Sequence, residues 1–163
     1  MKNQGKRFEE NFKKSLVIDD EILYYRFRDN TSSWEKGSMT RFQQTNICDC
    51  MIFNGIKLFF IELKSHKGKS IPTSCIRDNQ LKDMLAFSLK KNVKCLLIIN
   101  FSDVERCFSL DIEDYEAFLE VEERKSIPIS YLESHGIEIE VKKLNVNYRY
   151  GINDLLDIYT NEN

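Results

Sequence analysis

A chain of 163 residues with 42% hydrophobic and 31% charged residues has enough apolar material for one real core. Its longest apolar runs, such as residues 95–100, are too short to span a bilayer, and the charged first 14 residues do not form a secretion signal. The net charge of −2 argues against indiscriminate coating of nucleic acid, yet it hides a division: residues 1–110 hold 19 Lys and Arg against 13 Asp and Glu, residues 111–163 hold 5 against 13.

Taken in chain order, Gly5 to Val17 is predicted as an amphipathic helix, with Phe8, Phe12 and Leu16 on one stripe. Ile22 to Arg28 is predicted as a strand, and Asp29 to Gln44 as a long irregular segment carrying Trp34, Lys36, Arg41 and Phe42. A hairpin over residues 46–64 follows, then a basic loop from Ser65 to Pro72. The spacing of Ile76, Leu81, Met84, Leu85 and Leu89 predicts a helix from Cys75 to Lys91. Val93 to Phe101 is a continuous apolar run, the pattern of a strand covered on both faces. Arg106 to Ile112 is predicted as a further strand and Glu113 to Val121 as a helix with a solvated acidic side. Pro128 precedes a short helix at residues 130–135 that Gly136 caps, Ile137 to Leu144 alternates like a late strand, and a last helix starts near Ile152. No repeat is expected. The order indicates an α/β domain with a mixed central sheet flanked by helices: one domain over residues 1–163, its core within 1–110 and additions over 111–163.

The hairpin carries the chemistry. Two runs rich in β-branched and aromatic residues flank Asn54-Gly55, a strong signal for a two-residue turn with positive φ at both positions. That loop pairs Phe53 with Ile56 and so Asp49 with Phe60, leaving Glu62 as the diagonal neighbour of Asp49, roughly 5–8 Å away at the β-carbon. Asp49, Glu62 and Lys64 then share one sheet face with Ile47, Met51, Leu58 and Phe60, while Cys48 and Cys50 point to the other face. Two carboxylates and an ammonium on an otherwise apolar face make sense around a metal, and their hard oxygens suit Mg2+ or Mn2+. The backbone carbonyl of Leu63 could add a ligand. The five cysteines are an odd number with no CxxC spacing, which favours a reducing, cytoplasmic compartment over a disulfide framework.

Asp49 followed by Glu62-Leu63-Lys64 resembles the PD-(D/E)xK nuclease pattern, and the element order resembles that superfamily's restriction-endonuclease-like α-β-β-β-α-β core. Within it the chain is similar to RecU-type Holliday junction resolvases and their phage relatives. The likeness rests on residues 5–9 of the first helix, Cys48-Asp49, residues 60–64, Lys69-Ser70-Ile71-Pro72 and the helix around Gln80. Cys48 stands where many superfamily members have Pro, and residues 29–45 look shorter than the junction-contacting stalk of RecU-type enzymes. The resemblance implies Mg2+- or Mn2+-dependent cleavage of branched DNA, four-way junctions above all, by a homodimer. By position it makes Glu9, Asp49 and Glu62 metal-site carboxylates, with Glu10 competing with Glu9, and Lys64 the catalytic base or charge stabiliser.

His66, Lys67, Lys69, Arg77, Gln80, Arg28 and Arg41 are candidate nucleic-acid contacts on charge and position. Other readings stay open: a nuclease of the same chemistry acting on duplex or flap DNA, or a non-catalytic DNA-binding module on the same scaffold.

Overall fold

A computed structural model describes residues 4–27, 46–121 and 123–162; Arg28, Trp34 and Arg41 lie outside the described residues. The elements run α1 (Gln4–Ser15), β1 (Leu23–Arg26), β2 (Cys50–Phe53), β3 (Leu58–His66), β4 (Ser70–Pro72), a 3-10 turn (Thr73–Cys75) and α2 (Asp78–Ser88). They continue with β5 (Val93–Phe101), β6 (Arg106–Asp111), α3 (Ile112–Val121), β7 (Ser126–Pro128), α4 (Ile129–His135), β8 (Ile137–Ile139), β9 (Val141–Lys143), β10 (Tyr148–Tyr150) and α5 (Ile152–Asn161).

The main sheet has the order β1-β2-β3-β5-β6-β8. β1, β2 and β3 form an antiparallel meander, β3 and β5 are parallel, and β5 and β6 antiparallel. The parallel pair at the centre needs a crossover, which α2 supplies. On one face Cys50, Ile52, Phe59, Ile61, Leu63, Leu96 and Ile98 pack against Phe8, Phe12 and Leu16 of α1 and against Ile152, Leu155, Leu156 and Tyr159 of α5. On the other, Phe60, Cys95, Leu97, Ile99 and Phe108 pack against Met84 of α2, Tyr115 and Phe118 of α3 and Leu132 of α4. The sheet is therefore covered on both sides, which accounts for the unbroken apolar run in β5. Among the described residues no helix is long and apolar enough to cross a membrane.

Several expectations need correcting. The turn between β2 and β3 is wider than a two-residue loop: Phe53 pairs with Leu58, Met51 with Phe60 and Cys50 with Ile61. Only Gly55 takes a positive φ, of 83°; the Asn54 side chain instead accepts from the Ile56 and Lys57 amides at 3.2 and 2.8 Å and closes the loop. The register slips by two residues, an even number, so the side chains of the paired residues keep their faces. Cys50 faces α1 as expected, but Cys48 lies in the opposite core with Phe60 and Met84, because the chain has left regular strand there.

α2 is shorter than its apolar spacing suggests and Leu89, beyond its end, is 81% exposed. The late strand is broken: β8 joins the main sheet, whereas β9 pairs with β10, which no sequence pattern flagged. β4 and β7, also unforeseen, form a separate two-stranded ribbon. At the end of α4, Gly136 sits where a β-carbon would come within 2.6 Å of the Ser109 carbonyl, so close approach to β6 requires a residue without a side chain.

Candidate active site

Asp49 sits in the bend just before β2, its amide donating at 3.2 Å to the carbonyl of Ile61, which is also the partner of Cys50. The Asp49 charge acts on Glu62, the next residue along β3. The Asp49 carboxylate accepts the Leu63 amide at 2.7 Å, which anchors its side chain to the strand bearing Glu62 and Lys64.

Glu62 is 3% exposed, the most deeply covered acidic residue among those described. Its cross-strand neighbour on β5 is Leu97, so it rises from an apolar floor. Its two oxygens are each engaged: Oε1 lies 2.5 Å from the Lys64 ammonium, and Oε2 accepts from the Gln80 amide of α2 at 2.6 Å. Burial pushes the Glu62 carboxyl up to about 7, the nearby Asp49 charge pushes the same way, and Lys64 and Gln80 oppose both. A buried acid held beside a second carboxylate is the environment of functional carboxylates and a poor device for stability.

This arrangement fits a divalent cation. Two hard oxygen donors converge on a face whose repulsion a positive ion would relieve, and Mg2+ completes its octahedron with water when only one or two carboxylates are offered. Among the described residues no three His, Cys, Asp or Glu side chains gather as a metal-holding group. Glu9, the third expected carboxylate, is half-buried on α1 and paired with Arg26, the cross-strand partner of Cys50 on the α1-covered face. Glu10 is exposed.

Of the expected nucleic-acid contacts, Gln80 is turned onto Glu62, and His66 ends β3 with its carbonyl accepting from Ser102. Lys67, Lys69 and Arg77 are exposed along the segment from β3 to α2. Tyr25 is half exposed and stacks edge-on against Phe27; Tyr24 packs against the α1-side core, so it serves packing. Sequence reasoning passed over Cys75, which is within electrostatic reach of both Lys64 and Glu62. A half-buried cysteine in a 3-10 turn carries no motif that would have flagged it.

Comparison with known proteins places the chain in a family. The family profile of Recombination protein U, RecU, matches residues 20–154. An uncharacterized SPbeta prophage-derived protein of Bacillus subtilis, YotM, is 31% identical over 169 residues, covering 94% of this chain and 85% of YotM. The Holliday junction resolvase RecU of Streptococcus sanguinis is 25% identical over 105 residues, 63% of this chain and 52% of that protein. Among solved structures, the Holliday junction resolvase Hjc of Archaeoglobus fulgidus superposes with a TM-score of 0.52 at 16% identity, over 82% of this chain and 95% of Hjc. That likeness establishes the restriction-endonuclease-like fold.

Proposed function

The chain belongs to the RecU family of Holliday junction resolvase-like nucleases, and from that premise we propose that it is a divalent-metal-dependent endonuclease that cuts branched recombination DNA. The observation that carries the reading is a buried Glu62 that Lys64 and Gln80 hold in place, with the Asp49 carboxylate bonded to the adjacent Leu63 amide. Asp49 and Glu62, with the Leu63 carbonyl, would hold Mg2+ or Mn2+. Such an ion supplies a polarised phosphate and a water acidic enough to act as nucleophile at neutral pH.

The chain's own residues do the rest. Asp49, tied to the Leu63 amide, keeps the two strands of the hairpin in register at the site. Gln80 donates to Glu62 without adding a charge, fixing the carboxylate and favouring its anionic form against burial. Lys64, whose side chain is 28% exposed, can turn from Glu62 toward a phosphate, orient the attacking water and offset the negative charge that builds on the phosphoryl oxygens. Lys67, Lys69 and Arg77 supply backbone contacts beside it.

The reading extends to a homodimer, since a four-way junction presents two strands to be cut symmetrically, and to a cytoplasmic setting where such DNA is found. Single-domain organisation over residues 1–163 is part of the same proposal.

Incubating the protein with a four-way junction and a linear duplex of equal length, each with Mg2+, Mn2+ or EDTA, tests the proposal. Paired symmetrical nicks in the junction alone, absent in EDTA, are expected. General nicking of the duplex would shift the substrate to ordinary DNA. Binding without cutting, indifferent to Asp49→Asn, would contradict an enzymatic role.

A further inference from the structure

The ribbon of β4 and β7 is built from two tetrapeptides of the same sequence. Lys69-Ser70-Ile71-Pro72 and Lys125-Ser126-Ile127-Pro128 are identical in sequence, and they pair antiparallel about the Ile71–Ile127 rung. Ser70 faces Pro128 and Pro72 faces Ser126, so the two copies are related by a local twofold axis. The symmetry extends one step at each end: the Ile129 amide donates to the Lys69 carbonyl and the Thr73 amide to the Lys125 carbonyl, both at 3.0 Å.

Packing accounts for the isoleucines, which are 2% and 0% exposed in the core against α3 and α4. It does not account for the lysines. Each contributes its main-chain carbonyl to the ladder while its side chain is exposed. By register, Lys69 stands opposite Ile129 and Lys125 opposite Thr73, so the lysines mark the two ends of the ribbon, four residues apart. At the usual rise this is ~13 Å, comparable with the ~12 Å width of a duplex major groove and hence with the phosphates that border one. By alternation both lysines fall on the face of the buried Ile71 and Ile127, and they reach solvent because each stands just beyond the paired residues, at opposite ends of the ribbon.

The ribbon also lies beside the candidate active site. The 3-10 turn that follows β4 leads into α2, whose Gln80 donates to Glu62 at 2.6 Å. Tyr115 pins this turn by donating to the Thr73 carbonyl. Arg124 and Lys125 are two of only five cations in residues 111–163, and they interrupt an acidic stretch where the chain returns to β4. Lys67 and Arg77 extend the positive strip on the other strand's side.

We propose that Lys69 and Lys125, presented by the twofold Lys-Ser-Ile-Pro ribbon, form a two-point clamp for the sugar–phosphate backbone of a DNA arm entering the active site. This rests on the nuclease reading and adds to it a contact from the C-terminal part of the chain. Pairing with β7 makes the basic segment 67–72 a rigid docking rail whose second cation comes from 56 residues further along the sequence, as the register of Lys69 and Lys125 requires.

The test is fluorescence anisotropy of a labelled four-way junction and of a duplex arm, with EDTA present to prevent cutting, between about 50 and about 200 mM salt. Lys125→Ala should weaken binding about three- to tenfold and flatten the log–log salt slope by about one, as loss of a single phosphate contact does. Lys69→Ala with Lys125→Ala should flatten it by about two, while Lys142→Ala, an exposed lysine of β9, leaves it unchanged. Circular dichroism melts confirm that the variants remain folded. In cleavage assays Lys125→Ala should raise KM and leave kcat intact. Wild-type affinity and slope in Lys125→Ala would overturn the clamp alone. A wild-type protein that binds neither DNA would overturn the nuclease reading and the clamp with it.

Discussion

Lys64→Ala should lower the single-turnover cleavage rate by at least ~10²-fold, the usual scale for losing one preorganised donor to transition-state charge, while DNA affinity in EDTA stays close to wild type. The ammonium does two jobs at once. It lies 2.5 Å from Glu62 Oε1, and with Gln80 it opposes burial and the Asp49 charge in setting the Glu62 proton affinity. Removing it withdraws a positive charge from the developing phosphoryl anion and pushes Glu62 further toward the neutral acid, a poorer ligand for a cation. The two effects separate by pH. Between pH 7 and pH 9 the part that acts through Glu62 should recover as the carboxyl ionises, whereas the part that acts on the phosphate should not. A fully active Lys64→Ala would remove this residue from the chemistry.

Glu62→Gln has the second large effect, and stability reveals it before activity does. A carboxyl raised to about 7 in the folded protein keeps its proton over a range where the unfolded chain has released it. Folding is then favoured at low pH, and that advantage is lost as pH rises from about 4.5 through about 7, by an amount on the order of 3 kcal/mol. Urea unfolding of the metal-free wild type between pH 5 and pH 8 should show this decline. Glu62→Gln keeps the shape and the Gln80 contact without the titration, so its profile should be nearly flat and cross above the wild type near neutrality. Part of that gain is offset because Lys64 loses its carboxylate partner. Cleavage should be lost all the same, so this variant separates stability from function. Parallel pH profiles for the two proteins would show that Glu62 is not held in the strained state described.

Such a trade of stability for function explains why much of the site was legible in the sequence. Polar residues on an otherwise apolar strand face stand out against the period-2 pattern, and that pattern depends only on whether a register shift is odd or even. The turn at Asn54-Gly55 proved two residues wider than expected because Asn54 serves as a side-chain acceptor and does not adopt positive φ; Glu62 and Lys64, two apart on β3, nevertheless share a side, and Asp49 accepts from the Leu63 amide between them. β5 was equally plain, since seven consecutive residues from Cys95 to Phe101 are buried.

Less could be read where short segments find their partners only in three dimensions. β4 and β7 are three residues each, too brief for any periodicity, and their shared Lys-Ser-Ile-Pro becomes meaningful only once they pair. The break at Glu140, whose carbonyl accepts the Gly151 amide, divides one alternating run between two sheets, and alternation alone contains no sign of it. Glu9 was sound as a helix residue at the border of the apolar stripe, but its pairing with Arg26 depends on where β1 lies across the sheet.

The central claim is that Asp49 and Glu62 together hold a divalent ion, and calorimetric titration of Mn2+ into the wild type, Asp49→Asn and Glu62→Gln addresses it directly. Saturable binding in the wild type, abolished by either substitution while the variants stay folded, is the predicted result. Equal binding in all three proteins, or none in the wild type at pH 8 where Glu62 is ionised, would contradict it.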